Sequence, residues 1–174
     1  LGVPLEAALH LSSDPTRELE DLAGILEAMK PSRPRIESFL IHREGEEATP
    51  EPWMRHARTT LLRAAPGAKI GGGTDAELVE INRRRLPVEI LDRVCFSMNP
   101  QVHVFDDDSL VQALAAQGTA IETARVLARG VPLAISPVTL KRRFNPDATG
   151  PPCELRPCEL PPQVDPRQMS LFGA

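Results

Sequence analysis

The sequence predicts an α/β protein built on a parallel sheet. Three observations lead there. Short apolar runs alternate with longer stretches at helical spacing, five such runs recur at intervals of roughly thirty residues, and capping or turn residues mark most junctions. Repeated βα units of this kind require a parallel sheet with right-handed crossovers.

Leu5-Glu-Ala-Ala-Leu-His-Leu11 is the first strand. Ser13-Asp14-Pro15 supplies a cap and a helix-opening proline, and Leu19, Leu22, Ala23, Leu26 and Met29 mark the apolar face of a helix over Thr16 to Met29. Arg35 to Ile41 is the second strand. Thr49-Pro50-Glu51-Pro52 opens a second helix with Trp53, Ala57, Leu61 and Ala64 on one side, and Ala65-Pro66-Gly67 ends it.

A third strand, Ala68 to Gly71, runs into a turn at Gly72-Gly73-Thr74-Asp75, followed by a helix over Ala76 to Arg84. Asp92 to Met98 is a buried strand, stopped by Asn99-Pro100. Beyond the acidic cap at Asp106-Asp107-Asp108-Ser109 the spacing predicts two helices, Leu110 to Ala116 and Ala120 to Arg129, broken at Gly118. Val131 to Ser136 is the fifth strand. Two regions follow: 1–146 as the βα array, and 147–174 as a Pro/Cys-rich loop leading into the start of an amphipathic helix. Both ends read as truncated.

Composition narrows the class. With 174 residues and 41% hydrophobic content the chain can bury a real core, which excludes a wholly disordered tail. The 20 basic residues against 24 acidic ones leave no electrostatic footprint for nucleic acid or an anionic membrane. No run approaches the ~20 apolar residues of a membrane helix. Three cysteines, Cys95, Cys153 and Cys158, are an odd number and fit a reducing, cytoplasmic setting. Cys153 and Cys158 lack the second Cys pair or nearby His of a zinc site and read as reduced loop thiols.

In parallel α/β folds ligands bind beyond the carboxyl ends of the strands. Those ends carry His10 with Ser12, His42 with Arg43 and Glu44, Gly71 to Asp75, Ser97 to His103, and Ser136 to Thr139. The glycine turn is neither a Walker loop nor a dinucleotide fingerprint; Asp75 there suits a helix cap or a catalytic acid. The densest constellation is Asn99, Gln101 and His103 with Asp106 to Asp108. Its amides can hold hydroxyls, and an imidazole oriented by a carboxylate can move protons. One of the three aspartates also suits the cap of the next helix. His10, His42, Asp75 and His103 make a conceivable metal set, but there is no His-x-His pair, and the fifth strand ends in Ser136 where a metal-dependent barrel would supply an Asp. The expectation is therefore no metal and no organic cofactor. Lys141-Arg142-Arg143 reads as a solvated basic turn or a carboxylate holder.

Three strings are distinctive: Gly71-Gly-Gly-Thr-Asp-Ala76 with Glu80-Ile-Asn-Arg83; Phe96-Ser-Met-Asn-Pro-Gln-Val-His103 continuing through Phe105-Asp-Asp-Asp-Ser-Leu-Val111; and Ser136-Pro-Val-Thr-Leu140 with Arg143-Phe-Asn-Pro146. Together they resemble the TIM-barrel domain of the D-apionate lactonase family, bacterial proteins linked to catabolism of the branched sugar apiose. The resemblance runs from about Leu5 to Asn145 and takes in Asp165 to Phe172. It implies a (β/α)8 barrel of which this chain covers about five βα units, the later part, with an unpaired strand edge on each side; by itself such a half-barrel either self-associates with another copy through those edges or is only marginally stable.

It also implies lactone hydrolysis on a small sugar lactone; the charge balance adds no nucleic-acid and no membrane partner. From their strand-end positions, His103, Asp75 and Asp106 are the expected catalytic residues. Asn99, Gln101, Asn82, Ser136 and His42 are the expected substrate contacts. Two other readings compete. A glycoside hydrolase-like barrel needs two carboxylates about 5–9 Å apart, and the strand ends offer only Glu44, Asp75 and Asp106. A non-catalytic carbohydrate-binding barrel would bind sugar without turnover.

Overall fold

The computed structural model describes residues 3–30, 32, 34–101, 103, 105–145, 156, 157 and 159–173. Five parallel strands lie in sequence order: β1 (Leu5–Leu11), β2 (Ile36–Arg43), β3 (Lys69–Gly73), β4 (Arg93–Met98) and β5 (Leu133–Val138). Four helices connect them: α1 (Pro15–Ala28), α2 (Glu51–Ala64), α3 (Leu78–Arg83) and α4 (Asp107–Leu127). The sheet curls into a half-barrel, with its helices on the convex side.

Alternation along each strand decides which residues meet the helices and which meet the barrel interior. Leu11, Phe39, Ile41 and Ile70 pack outward onto Leu19, Ala23, Leu26, Ala57 and Leu61 of α1 and α2. Val94, Phe96 and Met98 pack with Ile81, Ala124 and Ala128 against α3 and α4. Each fully buried Leu, Ile or Phe here contributes about 1.5–3 kcal/mol. The inward face is layered. Its floor joins Glu6 to Ser38 at 2.8 Å and to Arg93 at 3.4 Å. Leu40, Cys95 and Ala134 form the middle layer. Burial pushes the Cys95 thiol up to about 12, so it stays a protonated packing group.

The glycine run lies inside β3 and is not the turn expected from sequence. A Cβ on Gly71 would sit 2.6 Å from Leu40 Cδ2. Gly73 has φ +152°, and a Cβ there would meet the Cys95 carbonyl oxygen at 2.0 Å. The glycines therefore let β3 approach its neighbours closely. Thr49 ties this end together: its hydroxyl donates to the Ile41 carbonyl and its N–H to the Gly73 carbonyl at 2.9 Å.

Two further expectations are corrected. Gly118 does not break α4, which is continuous, because an exposed mid-helix glycine weakens a helix by about 1 kcal/mol without ending it. Gln168 onward forms short 3-10 turns (Pro166–Met169 and Leu171–Gly173) in place of an amphipathic helix start. Their fixed point is Asp165, which caps the first turn by accepting from the Arg167 N–H at 2.9 Å. Cys153 and Cys158 lie outside the described residues. Among the described residues no helix is long and apolar enough to cross a membrane.

Candidate active site

At the carboxyl ends of the strands the inward face carries His10, His42 and Asp75. His10 and His42 are register partners on β1 and β2, and their rings stack with centroids 5.0 Å apart. Asp75 follows β3 and reaches back across β2, placing its Oδ2 3.5 Å from His10 Nδ1. It is not the cap of α3, whose N-cap is Glu77. That distance is long for a hydrogen bond and short enough for an ion pair when His10 is protonated.

The three groups sit in different environments. His10 keeps 42% of its side chain exposed and Asp75 22%, so a small molecule can reach both. His42 is only 3% exposed, and burial, helped by the neighbouring His10, lowers its pKa to about 4. It is a neutral imidazole at ordinary pH, and its Nδ1 is buried without a hydrogen-bond partner among the described residues. Burial pushes the Asp75 carboxyl up from its ordinary value, opposed by the charges of His10 and Arg143.

The other expected residues are distributed differently. Asp106 is the N-cap of α4: its carboxylate accepts from the Ser109 N–H at 2.9 Å, which holds its pKa below the ordinary value. His103 is exposed and lines a cavity of about 380 Å³ beside Phe96, Met98, Ala113 and Ala116 on the helix side of β4. The structure thus separates His103 and Asp106 from Asp75. Asn82 is exposed on the last turn of α3, near Val126, Leu127 and Arg129, at the end of the sheet where strands begin.

Asn99 donates to Glu77 Oε1 at 3.3 Å, and Arg142 donates to the same oxygen at 3.0 Å. Gln101 donates to Asp165 Oδ2 at 2.5 Å. Each of these amides keeps a buried carbonyl oxygen without a partner among the described residues. Ser136 follows inward-facing Ala134 by two residues. Asp165 is nearly buried. Hydrogen bonds from Arg167 and Gln101 hold its carboxyl well below the usual carboxylate range, and Arg167 also bonds Asp107. The tail is thereby fastened over the β4 end.

His10 is not among the residues expected to be catalytic or to touch substrate, although the sequence carries a signal for it. Ala7, Leu9 and Leu11 alternate with it, so it must face opposite to the helix-packing residues, one position before the strand ends. Asp165 and Arg167 carry no such signal, since the residues that tie them to the barrel, Gln101 and Asp107, lie 64 and 60 positions away in sequence. Among the described residues no group of three or more His, Cys, Asp or Glu is placed to hold a metal ion.

The fold and this face define part of a (β/α) barrel with ionisable groups gathered at the strand ends. The sequence model of the D-apionate lactonase TIM barrel domain matches residues 1–174, and the chain belongs to that family. It is also similar to the D-apionate lactonase of Brucella anthropi, 37% identical over 102 residues, which are 59% of this chain and 17% of that protein. The chain therefore matches only a minor part of that relative's length. No solved structure matches it.

Proposed function

We propose that this protein is a hydrolase that opens a sugar-acid lactone, D-apionolactone to D-apionate, in apiose catabolism. The observation that carries the reading is the pairing of His10 with Asp75 at 3.5 Å beside buried His42 at the strand ends. Family membership supplies the reaction class, and this pairing supplies groups suited to it.

Lactone opening needs a proton removed from water, an oxyanion held, and a proton returned to the departing ring oxygen. His10 takes the proton as water attacks the carbonyl carbon. Asp75 balances the imidazolium charge that forms. The neutral His42 ring, packed against His10, supplies an N–H for the oxyanion. Collapse of the tetrahedral intermediate breaks the ring C–O bond, and His10 returns its proton to the alkoxide. Asn99, Gln101 and Ser136, at the ends of β4 and β5, are assigned as hydroxyl partners for the sugar.

The test is acid release from D-apionolactone by the full-length protein and its H10N and D75N variants. H10N lowers kcat by roughly 10²–10⁴-fold, and D75N lowers it by a smaller factor. A folded protein that releases no acid from this lactone is not a lactonase of this kind. Undiminished turnover by folded H10N removes His10 from the mechanism.

A further inference from the structure

A cleft of about 490 Å³ opens between the end of β5 and the tail turns, lined by Thr139, Arg143, Pro161, Val164, Asp165 and Gln168. The cations around it are unequally engaged. Arg142 is held by Glu77 at 2.8 Å and by Asn145, and Arg167 by Asp165 and Asp107. Arg143 forms no ion pair with any described residue, and it is exposed on the cleft wall. Asp165, the acid on that wall, has its oxygens taken by Arg167 and Gln101. Among the described residues the cleft therefore presents one uncommitted guanidinium.

Its remaining polar groups are neutral. Gln168 accepts from the Leu140 N–H at 2.5 Å through Oε1, which leaves its amide N–H groups to donate. Thr139 contributes a hydroxyl, and Pro161 and Val164 contribute apolar surface for C–H faces. A planar cation with neutral hydrogen-bonding groups matches a carboxylate that carries several hydroxyls. The cleft lies at the carboxyl end of the sheet, where the Thr139 N–H donates to the Met98 carbonyl at 3.0 Å, and the charge of Arg143 favours the ionised form of Asp75.

We propose that this cleft is a product subsite that takes an aldonate, with Arg143 as the counter-ion of its carboxylate. The inference rests on the lactonase reading and extends it. The lactone is neutral and gains a carboxylate only when its ring opens, so Arg143 favours the product over the substrate. The reaction is accordingly inhibited by its own product.

The experiment measures product inhibition by sodium D-apionate in full-length wild type, R143Q and R143K, together with calorimetric binding of D-apionate and of erythritol as a neutral polyol. In R143Q the Ki for D-apionate rises about tenfold or more beyond any change in KM for the lactone. R143K falls between, because Lys keeps the charge without the fork. Equal changes in Ki and KM, or no change in Ki, overturn the inference and leave the lactonase reading standing. If wild type opens no lactone, that reading fails and calorimetry decides alone. D-apionate binding that R143Q loses, without erythritol binding, upholds the subsite; its absence in wild type overturns it.

Discussion

Asp75 and His10 meet across an intervening strand: the Oδ2 of one lies 3.5 Å from the Nδ1 of the other, although β2 separates β1 from β3. Only a sheet curved toward its inward face brings those two positions so near. The same curvature lays His10 on His42. Three residues 32 or more positions apart in sequence thus form one group through register and curvature, with no shared motif.

The pairing predicts where substitutions hurt. H10N lowers kcat far more than D106N does, because Asp106 is committed to the Ser109 N–H at the start of α4. D106N instead lowers the denaturation midpoint slightly, since Asn keeps the cap and loses only the charge at the helix start. Kinetics and denaturation of the two full-length variants measure both effects, and a kcat loss in D106N matching that of H10N contradicts the assignment.

His42 predicts acid sensitivity of the fold. Its pKa falls from 6.5 to about 4 on folding, so the unfolded chain binds more protons between those values. The contribution of neutral His42 is complete above about pH 6.5 and is lost as pH falls toward 4. Its size is at most about 3 kcal/mol. Urea unfolding at pH 7.5 and 4.5 should show a smaller pH-dependent loss in H42Q than in wild type; identical losses would refute it.

Two glycines predict opposite outcomes. G73A forces a Cβ onto the Cys95 carbonyl at a φ of +152° and destabilises by roughly 3 kcal/mol or more. G118A meets nothing within 4 Å on an exposed helix and stabilises by about 0.5–1 kcal/mol. Thermal or urea denaturation reads both.

Asp165 predicts how the tail is held. D165N removes the charge that Arg167 grips from a buried position and leaves Gln101 with a poorer acceptor. Limited proteolysis within 156–173 accelerates by roughly tenfold or more. In wild type, release follows acidification: the depressed carboxyl contributes stability above its ordinary unfolded pKa, and that is lost as pH falls below it. Equal cleavage rates in D165N and wild type would mean that other contacts hold the tail.

The sequence by itself determined the alternation of strand and helix, because period-2 and period-3.6 apolar spacing are local properties that the backbone reads directly. It put Leu5–Leu11 on its observed bounds and held α1 to within a residue at each end. It also marked the strand ends, where His42 and Asp75 lie. Only the tertiary structure decided which of those polar residues meet. Gly71 and Gly73 look like a turn in sequence, and the closeness of Leu40 and Cys95 makes them strand. Asp106 looks like an acid, and a free N–H at the start of α4 makes it a cap. His10 shows no catalytic motif, and sheet curvature gives it Asp75. Spacing along the chain fixes which face a side chain takes, whereas partners come from register and curvature, which depend on contacts far apart in sequence.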